Sequence, residues 1–276
     1  MNAIEIGFSP CPNDTFIFYA MLHNKVDTEG LTFKSYMADV EDLNNQILTQ
    51  NLLVSKISFH NFLFVTDDYK LLNSGSALGF GCGPLLISNK YSSILSNQNY
   101  SVCIPGLNTT ANFLLSIYFP QLIDKKQILF SLIEKELLSN NYDLGLIIHE
   151  NRFTYQQKGL NKIADLGQLW EEETGSAIPL GGIVVSNKIG FDIQSKIDRI
   201  LKRSVEYAFN NENEVMKYVK QYSQEMEEKI MKQHIDLYVN KFTISLGIDG
   251  KKAIDTFFKK ALSIDKIKTL PEHYIV

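Results

Sequence analysis

One histidine of this chain stands where an imidazole could do proton chemistry. In Leu144-Gly145-Leu146-Ile147-Ile148-His149-Glu150 an unbroken apolar run ends in His-Glu. The run reads as a strand buried on both faces, and histidine is the side chain best suited to move protons near neutral pH. A lone histidine is more often a satisfied structural residue. Its place at a strand end, with Glu150 beside it, favours His149 as a proton-transferring base.

Three other segments carry groups that could hold a small anion. Ser9-Pro10-Cys11-Pro12-Asn13-Asp14-Thr15-Phe16 is a proline-stiffened loop leading into a helix, with Asn13 or Asp14 as candidate caps. Ser55-Lys56-Ile57-Ser58-Phe59 puts an ammonium and a hydroxyl, Lys56 and Ser58, at the end of a short strand. Pro105-Gly106-Leu107-Asn108-Thr109-Thr110-Ala111-Asn112 is a glycine turn entering a helix, so Thr109, Thr110 and the first amides could cradle a carboxylate. Each has a plainer alternative: a capped helix start, a surface lysine, a simple threonine cap. The third segment lacks the Gly-Lys-Ser/Thr ending of a phosphate-binding loop.

The remaining chemistry-bearing residues do not combine. Cys11, Cys82 and Cys103 form no Cys-x-x-Cys pair, and their odd number argues against a disulfide framework. They read as small buried side chains, with Cys11 a weaker candidate nucleophile. His23, His60, His234 and His273 sit on expected helices or in the tail and form no ligand spacing with His149. No metal, no cofactor and no Ser-His-Asp triad is expected.

The elements that must position these groups alternate. Strands are expected at Ile4 to Phe8, Leu31 to Tyr36 and Val54 to Ser58, with helices at Thr15 to Leu22, from Asp39 to about Thr49, and at Phe59 to Thr66. This βαβα rhythm predicts a mostly parallel sheet with helices on both faces. The middle of the chain has its own pattern: strands at Ser101 to Pro105 and Leu144 to Ile148, helices at Thr109 to Phe119 and Gln127 to Leu138. Gly83-Pro84-Leu85-Leu86-Ile87-Ser88-Asn89-Lys90 echoes Gly182-Ile183-Val184-Val185-Ser186-Asn187-Lys188, as two equivalent strands would, each carrying the chain between lobes. After the second, helices are expected over Ile197 to Ala208, Glu212 to Tyr222, Gln224 to Val239 and Lys251 to Leu262. The reading is an α/β fold of two lobes, residues 1–86 with 187–276 and residues 87–186, crossed twice by the chain and free to hinge. All four unusual segments follow strand ends, the edge where open α/β sheets bind ligands.

Composition narrows the function. With 45% hydrophobic and 21% charged residues among 276, the chain has the balance of a globular protein with a substantial core. A net charge of −4, with no basic stripe, argues against nucleic acid as a partner. No apolar stretch reaches the roughly 18 residues of a membrane span, and no export signal is evident at Met1, so a cytoplasmic protein is expected.

Taken together, the motifs resemble the 1,4-dihydroxy-6-naphthoate synthase family of the futalosine route to menaquinone. The Ser9 to Phe16 run is the most specific match. It is joined by Lys56-Ile57-Ser58-Phe59, Gly83-Pro84-Leu85-Leu86, Thr109-Thr110-Ala111-Asn112, Ile147 to Tyr155 and Ile178-Pro179-Leu180-Gly181-Gly182. Phe80 and Cys82 depart from the pattern, which often has a basic residue at the first of these positions, and Leu107-Asn108 is variable in the family. The resemblance implies a type II periplasmic-binding-protein-like fold. It implies a cofactor-independent carbon–carbon lyase that converts cyclic dehypoxanthine futalosine to 1,4-dihydroxy-6-naphthoate and dihydroxyacetone. It also implies His149 as proton acceptor, and substrate contacts at Lys56, Ile57, Ser58, Thr109 and Thr110. The expected partner is a small carboxylate substrate, with a homodimer left open. Two alternatives stand: a non-catalytic solute-binding protein of the same layout, and a chorismate dehydratase-like sister enzyme, which should lack the Ser-Pro-Cys-Pro-Asn-Asp run.

Overall fold

The first three strands lie parallel because a helix separates each from the next, and parallel neighbours need such crossovers. In the computed structural model, which describes residues 3–95, 98–223 and 227–276, β1 (Ile4–Phe8), β2 (Phe33–Met37) and β3 (Val54–Ser58) are linked through helices Pro12–Leu22 and Val40–Leu48. The chain continues through β4 (Tyr69–Leu71), β5 (Ala77–Gly79), β6 (Leu85–Ser88), β7 (Val102–Ile104), β8 (Lys125–Gln127), β9 (Leu144–Ile147), β10 (Asn161–Asp165) and β11 (Ile178–Ser186). One sheet runs β2-β1-β3-β11-β4, with β5 also paired to β11, and the other runs β10-β6-β9-β7-β8.

The two sheets repeat one plan. β1 is flanked by parallel β2 and β3, and β7 by parallel β8 and β9. Beside the third strand of each unit lies one antiparallel strand, β11 against β3 and β6 against β9. These two strands are the segments with the Ser-Asn-Lys echo. Each follows a passage from the other sheet, so it starts where its neighbour ends and must run the opposite way. That direction corrects the expectation of mostly parallel sheets: every pairing of β11 and of β6 is antiparallel, and both sheets are mixed. The passages lie within residues 80–84 and 166–177. They touch at Gly83 and Gly167, where a Cβ added to Gly83 would come within 2.2 Å of the Gly167 Cα.

Smaller differences have local causes. Helix Pro12–Leu22 starts earlier than expected, so Asn13 and Asp14 fall inside its first turn, and Cys11 stands at the cap without a side-chain cap bond. The expected helix at Gln127 to Leu138 shrinks to Ile133–Leu138, because β8 takes Gln127 and a 3₁₀ turn takes Phe130–Leu132. The Phe59 to Thr66 helix ends at Phe62. The tail is helical over Phe191–Asn210, Glu212–Tyr222, Glu228–Tyr238 and Gly247–Ser263, while Gln224 lies outside the described residues. One apolar core spans both units, joining Phe59 and Ile57 to Phe113 and Trp170 around Phe257 and Phe258 of the last helix. Among the described residues no helix is long and apolar enough to cross a membrane.

Candidate active site

The carboxyl ends of β1, β3, β7 and β9 converge on one concave cavity, the shape in which small molecules are held. Lys56, Ile57, Ser58, Thr109, Thr110 and His149 all line it, together with Asp14, Leu180 and Tyr238. Segments far apart in the chain thus meet in one place.

The first sheet contributes a buried charge pair. Lys56 Nζ donates to the Gly75 carbonyl at 2.8 Å and lies 3.5 Å from Asp14 Oδ1. Asp14 in turn accepts from Ser9 N at 3.2 Å, from Ser9 Oγ at 2.8 Å and from Asn13 Nδ2 at 2.8 Å. Burial pulls the ammonium of Lys56 below its ordinary pKa, and Asp14 pushes it back up. The ammonium is therefore not the unengaged donor that its sequence position suggested, because two of its directions are already taken. Ser58 Oγ accepts from Asn44 Nδ2 at 3.2 Å, and Ser58 N donates to Asn44 Oδ1 at 2.9 Å, which leaves the hydroxyl hydrogen for a ligand.

The second sheet contributes a helix start. Thr109 caps helix Thr110–Tyr118 by accepting from Asn112 N at 3.2 Å, and its own hydroxyl donates to the Gly106 carbonyl at 2.7 Å. Thr110 Oγ1 donates to the Leu180 carbonyl at 2.8 Å and accepts from His60 N at 3.2 Å. Both hydroxyl hydrogens are committed to backbone, so an anion here would meet the first-turn amides and the helix dipole instead. Glu41, which the sequence suggests only as a first-turn acid, reaches across from helix Val40–Leu48. It accepts from Asn108 N at 3.0 Å and from Asn108 Nδ2 at 2.9 Å, tying the two units together. Burial pushes the Glu41 carboxyl above the usual range.

His149 stands between these groups, two residues past the end of β9. Its backbone is left-handed, φ 59°, a conformation few non-glycine residues adopt and one that collects at functional sites. The ring packs against Phe130 at 4.8 Å between centroids, and its Nε2 is buried without a hydrogen-bond partner. Burial lowers its pKa to about 4, with Asp14 pulling it up and Lys56 pushing it down. At neutral pH the imidazole is uncharged and ready to accept a proton. Cys11 and Glu150 bring a thiol and a carboxyl within 4.8 Å of it, a donor set that could also hold a metal. The Cys11 thiol is pushed well above its ordinary value, by burial first and by Glu150 next, so it stays protonated and is a poor nucleophile. Cys82, also on the cavity wall, is raised to about 12 by burial.

Sequence reasoning missed Asp14 as the partner of Lys56, Glu41 as an inter-sheet tie, and His234, whose ring lies against that of His149. The acid run Asp39-Val40-Glu41-Asp42 and the Asn13-Asp14 pair were the available signals for the first two. Nothing local marked His234, which the fold carries in from the tail.

A family model described as menaquinone biosynthesis matches residues 4–263. The chain is 37% identical over 261 residues to a 1,4-dihydroxy-6-naphthoate synthase of Thermus thermophilus, covering 95% of this chain and 94% of that protein. It is 36% identical over 265 residues to the same enzyme of Streptomyces coelicolor, covering 94% and 93%. A crystal structure of an Archaeoglobus fulgidus protein superposes with a TM-score of 0.88 at 29% identity, covering 96% of this chain and 98% of that one. An alkanesulfonate-binding protein from Xanthomonas axonopodis pv. citri, bound to MOPS, superposes at 0.74 with 10% identity, covering 100% and 98%, which shows the two-lobed binding-protein-like fold.

Proposed function

Because the chain belongs to the menaquinone-biosynthesis family, we propose that it performs the step that forms 1,4-dihydroxy-6-naphthoate, taking cyclic dehypoxanthine futalosine and releasing dihydroxyacetone. The observation that carries the mechanism is His149: a neutral imidazole with an unpartnered Nε2, on the wall of a cavity that also holds an ammonium and a helix N-terminus. The substrate carboxylate lies at the Thr110–Tyr118 helix start, where amides and dipole favour an anion. The hydroxyl of Ser58 and the third donor direction of Lys56 orient the ring oxygens.

His149 then removes a proton from substrate carbon. The electron pair left behind delocalises into the ring, and the three-carbon unit leaves with the electrons of its bond and takes up the proton that His149 removed, giving dihydroxyacetone. Aromatisation of the remaining rings supplies the driving force, so the protein needs chiefly to position and to accept a proton. The left-handed turn at His149 keeps the imidazole at the strand end and holds it at the cavity, and the bound substrate excludes water from it. Incubation with the cyclic futalosine derivative should generate a new naphthoate absorbance together with dihydroxyacetone. A His149→Ala protein that turned over at near-native rate would show that the base has been misassigned.

A further inference from the structure

Three parts of the chain bring together, around the base, the donor types that hold zinc. Cys11 caps helix Pro12–Leu22, while His149 and Glu150 follow β9. Their sulfur, ring nitrogen and carboxylate oxygen lie within 4.8 Å of one another. His234, on helix Glu228–Tyr238, brings a fourth donor from the tail. It is fully buried, and its Nδ1 has no hydrogen-bond partner and lies 3.6 Å from Glu150 Oε2. His234 Nε2 is 2.8 Å from Asn13 Oδ1. The Asn13 amide nitrogen donates to Asp14 Oδ1 at 2.8 Å, so Asn13 Oδ1 is the acceptor and His234 Nε2 carries the hydrogen. Nδ1 then presents a bare lone pair. A histidine that ligates a metal is commonly oriented in this way, by giving its other N–H to an oxygen.

We propose that Cys11, His149, Glu150 and His234 form a site for a thiophilic divalent cation of the zinc class, and that filling it shuts the enzyme off. Thiolate and imidazole select such cations over Mg²⁺ and Ca²⁺, which prefer oxygen. The cation displaces the Cys11 thiol hydrogen, which leaves as a proton to solvent, and no electron is transferred. With one thiolate and one carboxylate the filled site is neutral, which lowers the cost of burying it. The charged groups that act on the thiol are Glu150, Asp14 and Asp39, all acids, and they favour a cation there. Lys56 and Arg152 act on the two rings and oppose it, but they are already paired with Asp14 and Asp165. Bonds of about 2.0–2.3 Å put the donors of tetrahedral zinc about 3.5 Å apart, so the side chains close by about 1 Å. The shut-off rests on His149 being the base. A neutral imidazole has one basic nitrogen, and ligation takes it. Positions 11, 149, 150 and 234 are scattered along the chain, so no local ligand spacing announces the site.

The test uses the full chain stripped with a chelator, and Zn²⁺ or Co²⁺ alone as the probe. One Zn²⁺ per chain is expected, and X-ray absorption at the zinc edge should show one sulfur at about 2.3 Å beside nitrogen or oxygen at about 2.0 Å. Co²⁺ should give a sulfur-to-metal charge-transfer band that Cys11→Ser removes and Cys103→Ser keeps. Cys11→Ser and His234→Phe should each weaken zinc binding about 100-fold or more, since losing even a second neighbour of a ligand costs about 10–100-fold. Turnover of cyclic dehypoxanthine futalosine should fall in step with occupancy and return with chelator. A zinc shell without sulfur, or no saturable uptake, overturns the site, and the absorption measurement needs no variant to fold. Turnover unchanged or raised in zinc-filled protein overturns the shut-off. Failure of the metal-free protein to turn over that substrate would instead refute the proposed reaction, and metal uptake, measured without substrate, keeps the two failures apart.

Discussion

The two β units share a plan and divide the chemistry. After its first strand, one places Ser9 to Asp14 and the other Gly106 to Thr110. At the end of its third strand, one places Lys56 and Ser58 and the other His149. The first unit thus brings a buried ion pair whose charges are largely spent on each other and on Gly75. The second brings a helix start and an uncharged base. The contrast teaches that a duplicated frame does not fix what stands at its edge. The frame fixes positions, and the loops after equivalent strands decide whether a position holds, binds or reacts.

The sharpest way to break this division is to delete the equivalent strand-end groups one at a time. His149→Ala should lower kcat about 10³-fold, whereas Ser58→Ala should cost about tenfold through lost positioning. Equal losses would put chemistry on both sides of the cavity. Lys56→Met should act on stability before activity. It strands Asp14 in a buried site, which costs about 3–5 kcal/mol, and denaturant unfolding should show most of that restored in Lys56→Met/Asp14→Asn.

Each unit also holds one histidine that burial lowers to about 4, His60 in the first and His149 in the second. Their folded values lie below those of the unfolded chain. Between pH 6.5 and 4 the unfolded chain therefore binds protons that the folded one does not, and stability falls as pH falls. The expected loss is about 1–3 kcal/mol per ring by pH 4, and His60→Gln and His149→Gln should each flatten part of that slope. Glu41 works the other way: its raised pKa stabilises at low pH, and the contribution is lost as pH rises through its folded value. The smallest effect belongs to the tie itself. Asn108→Ala should raise KM a few fold with kcat nearly unchanged, from about 1 kcal/mol of lost hydrogen bonding.

Much of this frame was legible because periodicity and strand-end position are local signals. The Ser-Asn-Lys echo named β6 and β11, and the apolar run before His149 named β9 and its carboxyl end. What was not legible depended on distance along the chain. Strand direction in β11 follows from where the chain returns, which no window of sequence contains. From sequence, Thr109 and Thr110 are expected as donors to a ligand, yet their hydrogens go to Gly106 and Leu180, the second of these on a strand of the other sheet. Lys56 looks open in sequence because Asp14 is 42 positions away. The placing of His234 beside His149 is the extreme case, since the tail helices carry no motif and only packing brings the two rings to 6.0 Å between centroids.

The contact of Gly83 with Gly167 sets how the cavity can admit its guest. There the outgoing and returning segments meet backbone to backbone, with no room for even a methyl group between them. Two strings pressed at one spot can swivel but cannot part. Any swing of the two units should therefore turn about this point, with Cys82 and Pro84 beside it hardly shifting. An alanine at either glycine would pry the pivot apart and leave the two units misaligned, even with every cavity-lining side chain in place.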